Sequence, residues 1–149
     1  AWLPHDRNWL AAASQFPGTV FFNVSTFAAL ADYASFQDED QQVWRPDFFG
    51  STLFLVASFF ALLALEQRGL RRQLRTLPGQ IAWLNMLGSV FFMVSAFAAF
   101  VLPSGQLVDD ALAVGGTLFG AVCFLVGAAL MFPAWRHEVR AATPAGGHG

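Results

Sequence analysis

The uncharged stretches of this sequence carry neutral hydrogen-bonding side chains at helical spacing. Gln15, Thr19, Asn23 and Thr26 follow one another by about a turn. Asn85 and Ser89 hold the corresponding places seventy residues later, where the stripe turns apolar at Met93 and Ala96. Amide and hydroxyl groups in apolar surroundings must find partners. One use of such a seam is hydrogen bonding between helices. The other is binding a small neutral ligand or a partner helix. No charged residue joins the seam, which favours the first use.

Other chemistry has little footing. His5, His137 and His148 are scattered near the termini without ligand spacing, and Cys123 is the single cysteine, so no metal site or disulfide framework is expected. Asp38, Glu39 and Asp40 read as a solvated acidic loop rather than a cation site. Ser25 and Ser95 have no histidine nearby to activate them. The run "GGTLFGAV" from Gly115 superficially suggests the glycine-rich helix of small fluoride channels, but its spacing is wrong and the downstream arginine is missing. No nucleotide-binding loop or nucleophile–base pair is present. The expectation is a protein that is not an enzyme, with no catalytic, cofactor-binding or metal-binding residue, no cofactor and no nucleic-acid partner.

The elements that carry these residues follow from charge distribution. Hydrophobic residues make up 56% of the chain and charged residues 12%, against about 25% charged in soluble domains. No Asp, Glu, Lys or Arg lies between Arg7 and Asp32, between Asp47 and Glu66, between Arg75 and Asp109, or between Asp110 and Arg136. A membrane-crossing helix needs about 20 mostly apolar residues, whereas a soluble bundle of this size needs polar helix faces. Four helices are expected, over about 9–31, 47–65, 80–102 and 110–132. Pro17 should kink the first. Pro46 and Asp47 suit the first turn of the second, and Pro103 and Pro133 should stop the third and fourth. "ALA" before Asp32 resembles a signal-peptide cleavage site, but the apolar run is too long for one and recurs internally. "DYASFQDEDQQVWRP" reads as a polar loop. In "EQRGLRRQLRTLPGQ", Leu70, Leu74 and Leu77 share a face among Arg68, Arg71, Arg72 and Arg75, an amphipathic stretch suited to anionic headgroups.

The chain repeats itself. "GTVFFNVSTFAA" from Gly18 returns as "GSVFFMVSAFAA" from Gly88 with nine of twelve positions identical, and "GSTLFLVAS" from Gly50 returns as "GAVCFLVGA" from Gly120 at the same offset. The fold class expected is therefore an all-α, integral membrane four-helix bundle of two tandem two-helix repeats, over 1–70 and 71–135, with a disordered tail over 136–149. Each repeat crosses twice, so the copies should be related by a pseudo-twofold axis along the membrane normal. Arginines concentrate between the second and third helices and after the fourth, which places both termini in the cytoplasm.

Each expected helix also carries small residues and a phenylalanine on one face: Gly18, Phe22, Ser25 and Ala29; Gly50, Phe54, Ala57 and Ala61; Gly88, Phe92, Ser95 and Ala99; Gly120, Phe124, Gly127 and Met131. Small residues let helix backbones approach. These stripes are expected at helix contacts, with a ligand-lining phenylalanine ring as the alternative.

The segments "FFNVSTFAAL", "WRPDFFGSTLFLVAS", "NMLGSVFFMVSAFAA" and "GTLFGAVCFLVGAAL" resemble bacterial membrane proteins of the YrhK-like type, a two-helix module built on Gly-Ser-x-x-Phe, here in tandem from about Gly18 to Phe132. The resemblance implies a fold and no site residues. Ala121 stands where the other three helices have Ser or Thr after the glycine. The expected role is a non-catalytic structural or accessory subunit of the bacterial cytoplasmic membrane, multi-pass, in contact with lipids and with another membrane protein or itself. The alternative is a small oligomeric transporter or channel for a neutral solute.

Overall fold

A computed structural model describes residues 5–66, 75–100, 102, 104 and 106–142, with backbone only for Phe36, Glu66 and 137–142. Among them lie four long helices and no β-strand: α1 (Arg7–Ala28), α2 (Arg45–Glu66), α3 (Leu77–Ala98) and α4 (Asp110–Ala142). A helical turn, Phe36–Glu39, and a π-helical turn, Asp40–Trp44, lead directly into α2. Most of the expected polar loop, from Phe36 on, is thus helical. Ser35 starts it by accepting from the Asp38 amide at 3.2 Å.

Local chemistry sets the helix ends. Asp6 caps α1, its carboxylate accepting from the amides of Asn8 and Trp9 at 2.7 and 3.1 Å. The helix closes at Ala28, short of Ala31, and the Tyr33 hydroxyl donates to the Ala28 carbonyl at 2.9 Å. Thr76 caps α3 with Pro78 in the first turn, so this helix begins before Gln80. It ends at Ala98 rather than near Leu102. There the chain turns back on itself, with the amides of Val108 and Asp109 donating to the carbonyls of Phe100 and Ala98. Pro133 does not end α4, which runs on to Ala142. Proline removes one backbone donor, and the alanines and charged residues beyond it are good helix formers. Residues 136–142 are therefore helical, not a disordered tail. Residues 143–149 lie outside the described residues, as do Leu70, Leu74 and three of the four arginines of the amphipathic stretch.

Three helical segments are long and apolar enough to cross a membrane: Gln37–Leu65, Leu77–Ala98 and Asp110–Arg136. Four were expected. The α1 helix is as long as α3 but carries Asn8, Ser14, Gln15, Thr19, Asn23, Ser25 and Thr26, which lower its hydropathy.

The helices pack as α1 on α2, α2 on α3, and α3 on α4. No comparable contact joins α1 to α4. Backbones come close at glycines. A Cβ on Gly50 would lie 3.1 Å from the Gly18 carbonyl oxygen, and one on Gly120 would lie 3.1 Å from that of Gly88. A Cβ on Gly18 would meet Leu53 and Phe54, and one on Gly88 would meet Cys123 and Phe124. The rings of Phe22 and Phe54 stand 5.8 Å apart and those of Phe92 and Phe124 stand 5.5 Å apart. Across the centre, Phe22 meets Phe92 at 4.7 Å and Phe54 meets Phe124 at 5.2 Å. The four rings pack on one another in the middle of the bundle. At the far end of the α4 stripe Met131 is exposed.

Adjacent glycines on α4 separate close approach from helix propensity. A Cβ on Gly116 would lie 2.8 Å from Ser95 Cβ and 2.9 Å from the Phe91 carbonyl oxygen, whereas one on Gly115 meets nothing within 4 Å. Gly116→Ala should cost about 1–3 kcal/mol through overpacking. Gly115→Ala should be neutral or gain up to about 1 kcal/mol. Thermal unfolding of the purified variants would show opposite shifts; equal shifts would mean that the α3–α4 backbones are not in this register.

Candidate functional site

The structure does not bring the six seam residues together. Thr19, Asn23 and Thr26 are exposed on α1 and Gln15 is half-buried. Their hydrogen bonds stay within the helix: Thr19 Oγ1 donates to the Gln15 carbonyl at 3.0 Å, Asn23 Nδ2 to Thr19 at 2.8 Å, and Thr26 Oγ1 to Phe22 at 2.8 Å. Such side chains can reach the carbonyl one turn back, so they need no neighbouring helix. On α3 the matching pair is enclosed. Ser89 is fully buried and Asn85 half-buried. Ser89 Oγ donates to the Asn85 carbonyl at 2.8 Å and lies 2.8 Å from Ser58 Oγ of α2, which supplies the proton for that contact. Asn85 Oδ1 faces Gly127 of α4. Interhelical bonding therefore holds for Ser89 and not for the α1 residues.

Two further side chains that bond between segments, Ser25 and Ser95, are ones the sequence ranks only as small members of the packing stripe. Ser25 Oγ donates to the Val43 carbonyl at 2.8 Å, and Ser95 Oγ, seventy residues on, donates to the Ala113 carbonyl at 2.6 Å. Both acceptors lie eighteen residues after their donor. The π turn at Asp40–Trp44 loosens the regular ladder where Val43 meets Ser25. Thr117 Oγ1 lies 2.7 Å from Ser95 Oγ; since the Ser95 proton is engaged by Ala113, Thr117 is the donor. The Trp44 indole N–H donates to the Ala96 carbonyl at 2.7 Å, serving the C-terminal turn of α3, and Arg7 donates to the Leu63 carbonyl at 2.6 Å, serving that of α2. The available signal was the retention of Ser25 and Ser95 at matching places where neighbouring Thr26 becomes Ala96.

Because α1 and α4 do not close on each other, a cavity of about 630 Å³ lies between them, within the range of small-molecule pockets. Phe22, Ser25, Thr26 and Ala29 line it from α1, and Ala113, Val114, Thr117, Leu118 and Ala121 from α4. Glu39, Val43, Trp44 and Asp47 line it from the segment leading into α2 and its first turn, and Ser95 and Ala99 from the end of α3 and just beyond it. The walls are mainly apolar. Glu39 and Asp47 are half-buried, and their carboxylates have no hydrogen-bond or ion-pair partner among the described residues. Arg45 does not serve them, since its guanidinium pairs with Asp40 at 2.9 Å. A second cavity, about 600 Å³, lies beside Trp83, Leu87, Val90 and Leu130 and is more uniformly apolar. Among the described residues no group of three or more His, Cys, Asp or Glu could hold a metal ion. The first cavity has the groups to bind and orient a molecule, and no nucleophile with a base beside it.

Two fully enclosed serines offer a test of this hydrogen bonding. Ser51 is completely buried and its hydroxyl has no partner, while Ser95 bonds twice across to α4. Ser51→Ala should leave stability unchanged or raise it by about 1 kcal/mol, since it removes a desolvated, unpaired hydroxyl. Ser95→Ala should lower it by about 1 kcal/mol. Denaturation midpoints of the two variants would fall on opposite sides of the parent; a loss at Ser51 as large as that at Ser95 would contradict the assignment.

No protein-family model, no curated protein and no solved structure matches this chain.

Proposed function

We propose that the chain is an integral membrane protein built from two tandem two-helix units, acting as a non-catalytic structural or accessory subunit that binds another membrane protein or a second copy of itself. The observation that carries this is the outer surface of the bundle. Large apolar side chains face outward along every long helix, including Phe16 and Phe27 on α1, Phe59 on α2, Phe97 on α3 and Leu125 and Phe132 on α4. Water-exposed proteins rarely carry apolar patches of that extent, whereas hydrocarbon imposes no cost on them. The length and hydropathy of three of the helical segments support the same reading.

Support for the tandem unit comes from the contacts at an offset of seventy residues: Gly18 and Gly88 each against a phenylalanine, Gly50 and Gly120 each against a carbonyl, Ser25 and Ser95 each bonded eighteen residues on. The resemblance to tandem YrhK-like modules accords with it. In this proposal α1 is the fourth crossing. At 22 residues it spans about 33 Å, and it lies along α2. The arginine distribution then puts both termini in the cytoplasm of a bacterial cell, with the acidic segments outside.

The polar strip of α1 is the association surface. Thr19 and Asn23 are exposed on α1, and Thr26 is exposed beside the gap toward α4. Asn23 uses one amide proton on Thr19, and its Oδ1 has no partner among the described residues. In a membrane such groups draw a second helix. The same outward strip favours one other reading, in which several copies turn these faces toward a shared centre and form a path for a neutral solute.

Chromatography in mild detergent is expected to recover the protein in a larger assembly. Asn23→Leu should release the single chain without lowering its thermal stability. Retention of the full assembly by this variant would sink the role given to α1. Osmotic swelling of proteoliposomes in glycerol would favour the solute path over the accessory role. Reporter fusions should place both ends in the cytoplasm; ends on opposite sides would show that α1 does not cross.

A further inference from the structure

The cavity between α1 and α4 has an unusual balance of hydrogen-bonding groups. It is lined by four hydroxyls and one indole N–H, and every one of these protons is already engaged. Ser25 donates to Val43, Thr26 to Phe22, Ser95 to Ala113, Thr117 to Ser95 and Trp44 to Ala96. The polar capacity left over is acceptor capacity, and most of it belongs to the two unpartnered carboxylates of Glu39 and Asp47, eight residues apart on one helical run. The rest of the lining is aromatic or aliphatic, from Phe22 to Leu118 and Ala121. A desolvated carboxylate without a partner is costly, and a matching cation offsets that cost through charge-assisted hydrogen bonds.

We infer that this cavity binds an amphiphile with a protonated amine head and an aliphatic tail. The ammonium pairs with Asp47, with the Glu39 carboxylate two turns away on the same helical run adding to the negative field, and the tail runs along the apolar wall that α1 and α4 present. An anionic head is repelled, and a neutral acceptor head finds no free proton. A small hydrophilic cation would satisfy the carboxylates but leave the apolar length of the cavity unfilled. The ligand enters sideways through the gap between α1 and α4. This route rests on the membrane reading above, because the gap then faces the acyl chains.

The test uses the full chain in phosphatidylcholine nanodiscs and a dodecylammonium probe carrying a diazirine in its chain. Photolabelling followed by peptide mapping should place adducts on α1 near Phe22–Ala29 and on α4 near Ala113–Ala121. Excess dodecylammonium should compete them away, and dodecanoate should not. Asp47→Asn should weaken saturable labelling by about tenfold, and Asp47→Glu should keep it. Ala121→Phe, at an exposed position on the wall, should block it with the carboxylates intact. Labelling that does not saturate, spreads evenly along the outer face of α4, or is competed equally by dodecanoate would overturn the inference. So would saturable labelling unchanged by both Asp47→Asn and Ala121→Phe. Failure of the membrane reading shows up separately, as recovery of the chain in the aqueous fraction after alkaline extraction of membranes.

Discussion

Close approach of two helix backbones at glycine is the constraint on which the rest of the structure depends. Gly50 sits against the backbone of Gly18 and Phe22, and Gly120 against the Gly88 carbonyl and the Phe92 ring. A Cβ at Gly50 or Gly120 would meet the facing helix at 3.0 or 2.9 Å and force the pair to give way, weakening dispersion contacts that fade within about an ångström. Nearness at the glycines lets Phe22, Phe54, Phe92 and Phe124 meet in the middle. It also brings Ser95 within reach of Ala113 and Thr117. Hydroxyls this short can bridge helices only when the backbones are already close.

The arrangement is uneven. The α2 and α3 helices sit together at the centre, and α1 and α4 lie outside them without closing on each other. The α2–α3 side of the Phe cluster is closed, with Phe54 meeting Phe92 at 5.9 Å, while the α1–α4 side stays open. That opening leaves room for a cavity and leaves Glu39 and Asp47 without partners. The π turn adds to this unevenness. It belongs to the segment before α2, which directs Trp44 across to Ala96 and Val43 toward Ser25. No π turn precedes α4 among the described residues, where Ala113 already lies in a regular helix.

Much of the helical layout could be read from residue order. Asp110 and Pro46 mark starts, and the long uncharged runs mark the helix bodies. The ends were read less well because proline is ambiguous. Pro78 lies inside the start of α3, and Pro133 lies within α4. One missing donor does not by itself end a helix; α3 closes at Ala98, where the chain pairs back on its last turn, and Pro103 lies outside the described residues. The seam was misread for a related reason. Spacing shows that Gln15, Thr19, Asn23 and Thr26 share a face, but a threonine or asparagine can satisfy itself on its own helix. Its position in the sequence does not say whether a neighbour is present.

The sequence by itself determined an all-helical chain, the places where glycine and phenylalanine recur, and the absence of charge from the helix bodies. These follow from local rules: periodicity, backbone sterics and the cost of unpaired charge. Tertiary structure alone decided which helices touch and which do not. The gap between α1 and α4 depends on the relative placement of residues nearly a hundred positions apart in the chain. The packing of α1 on α2 and of α3 on α4 engages the donors of Ser25, Ser95 and Thr117, and the gap leaves two acidic side chains facing an apolar space.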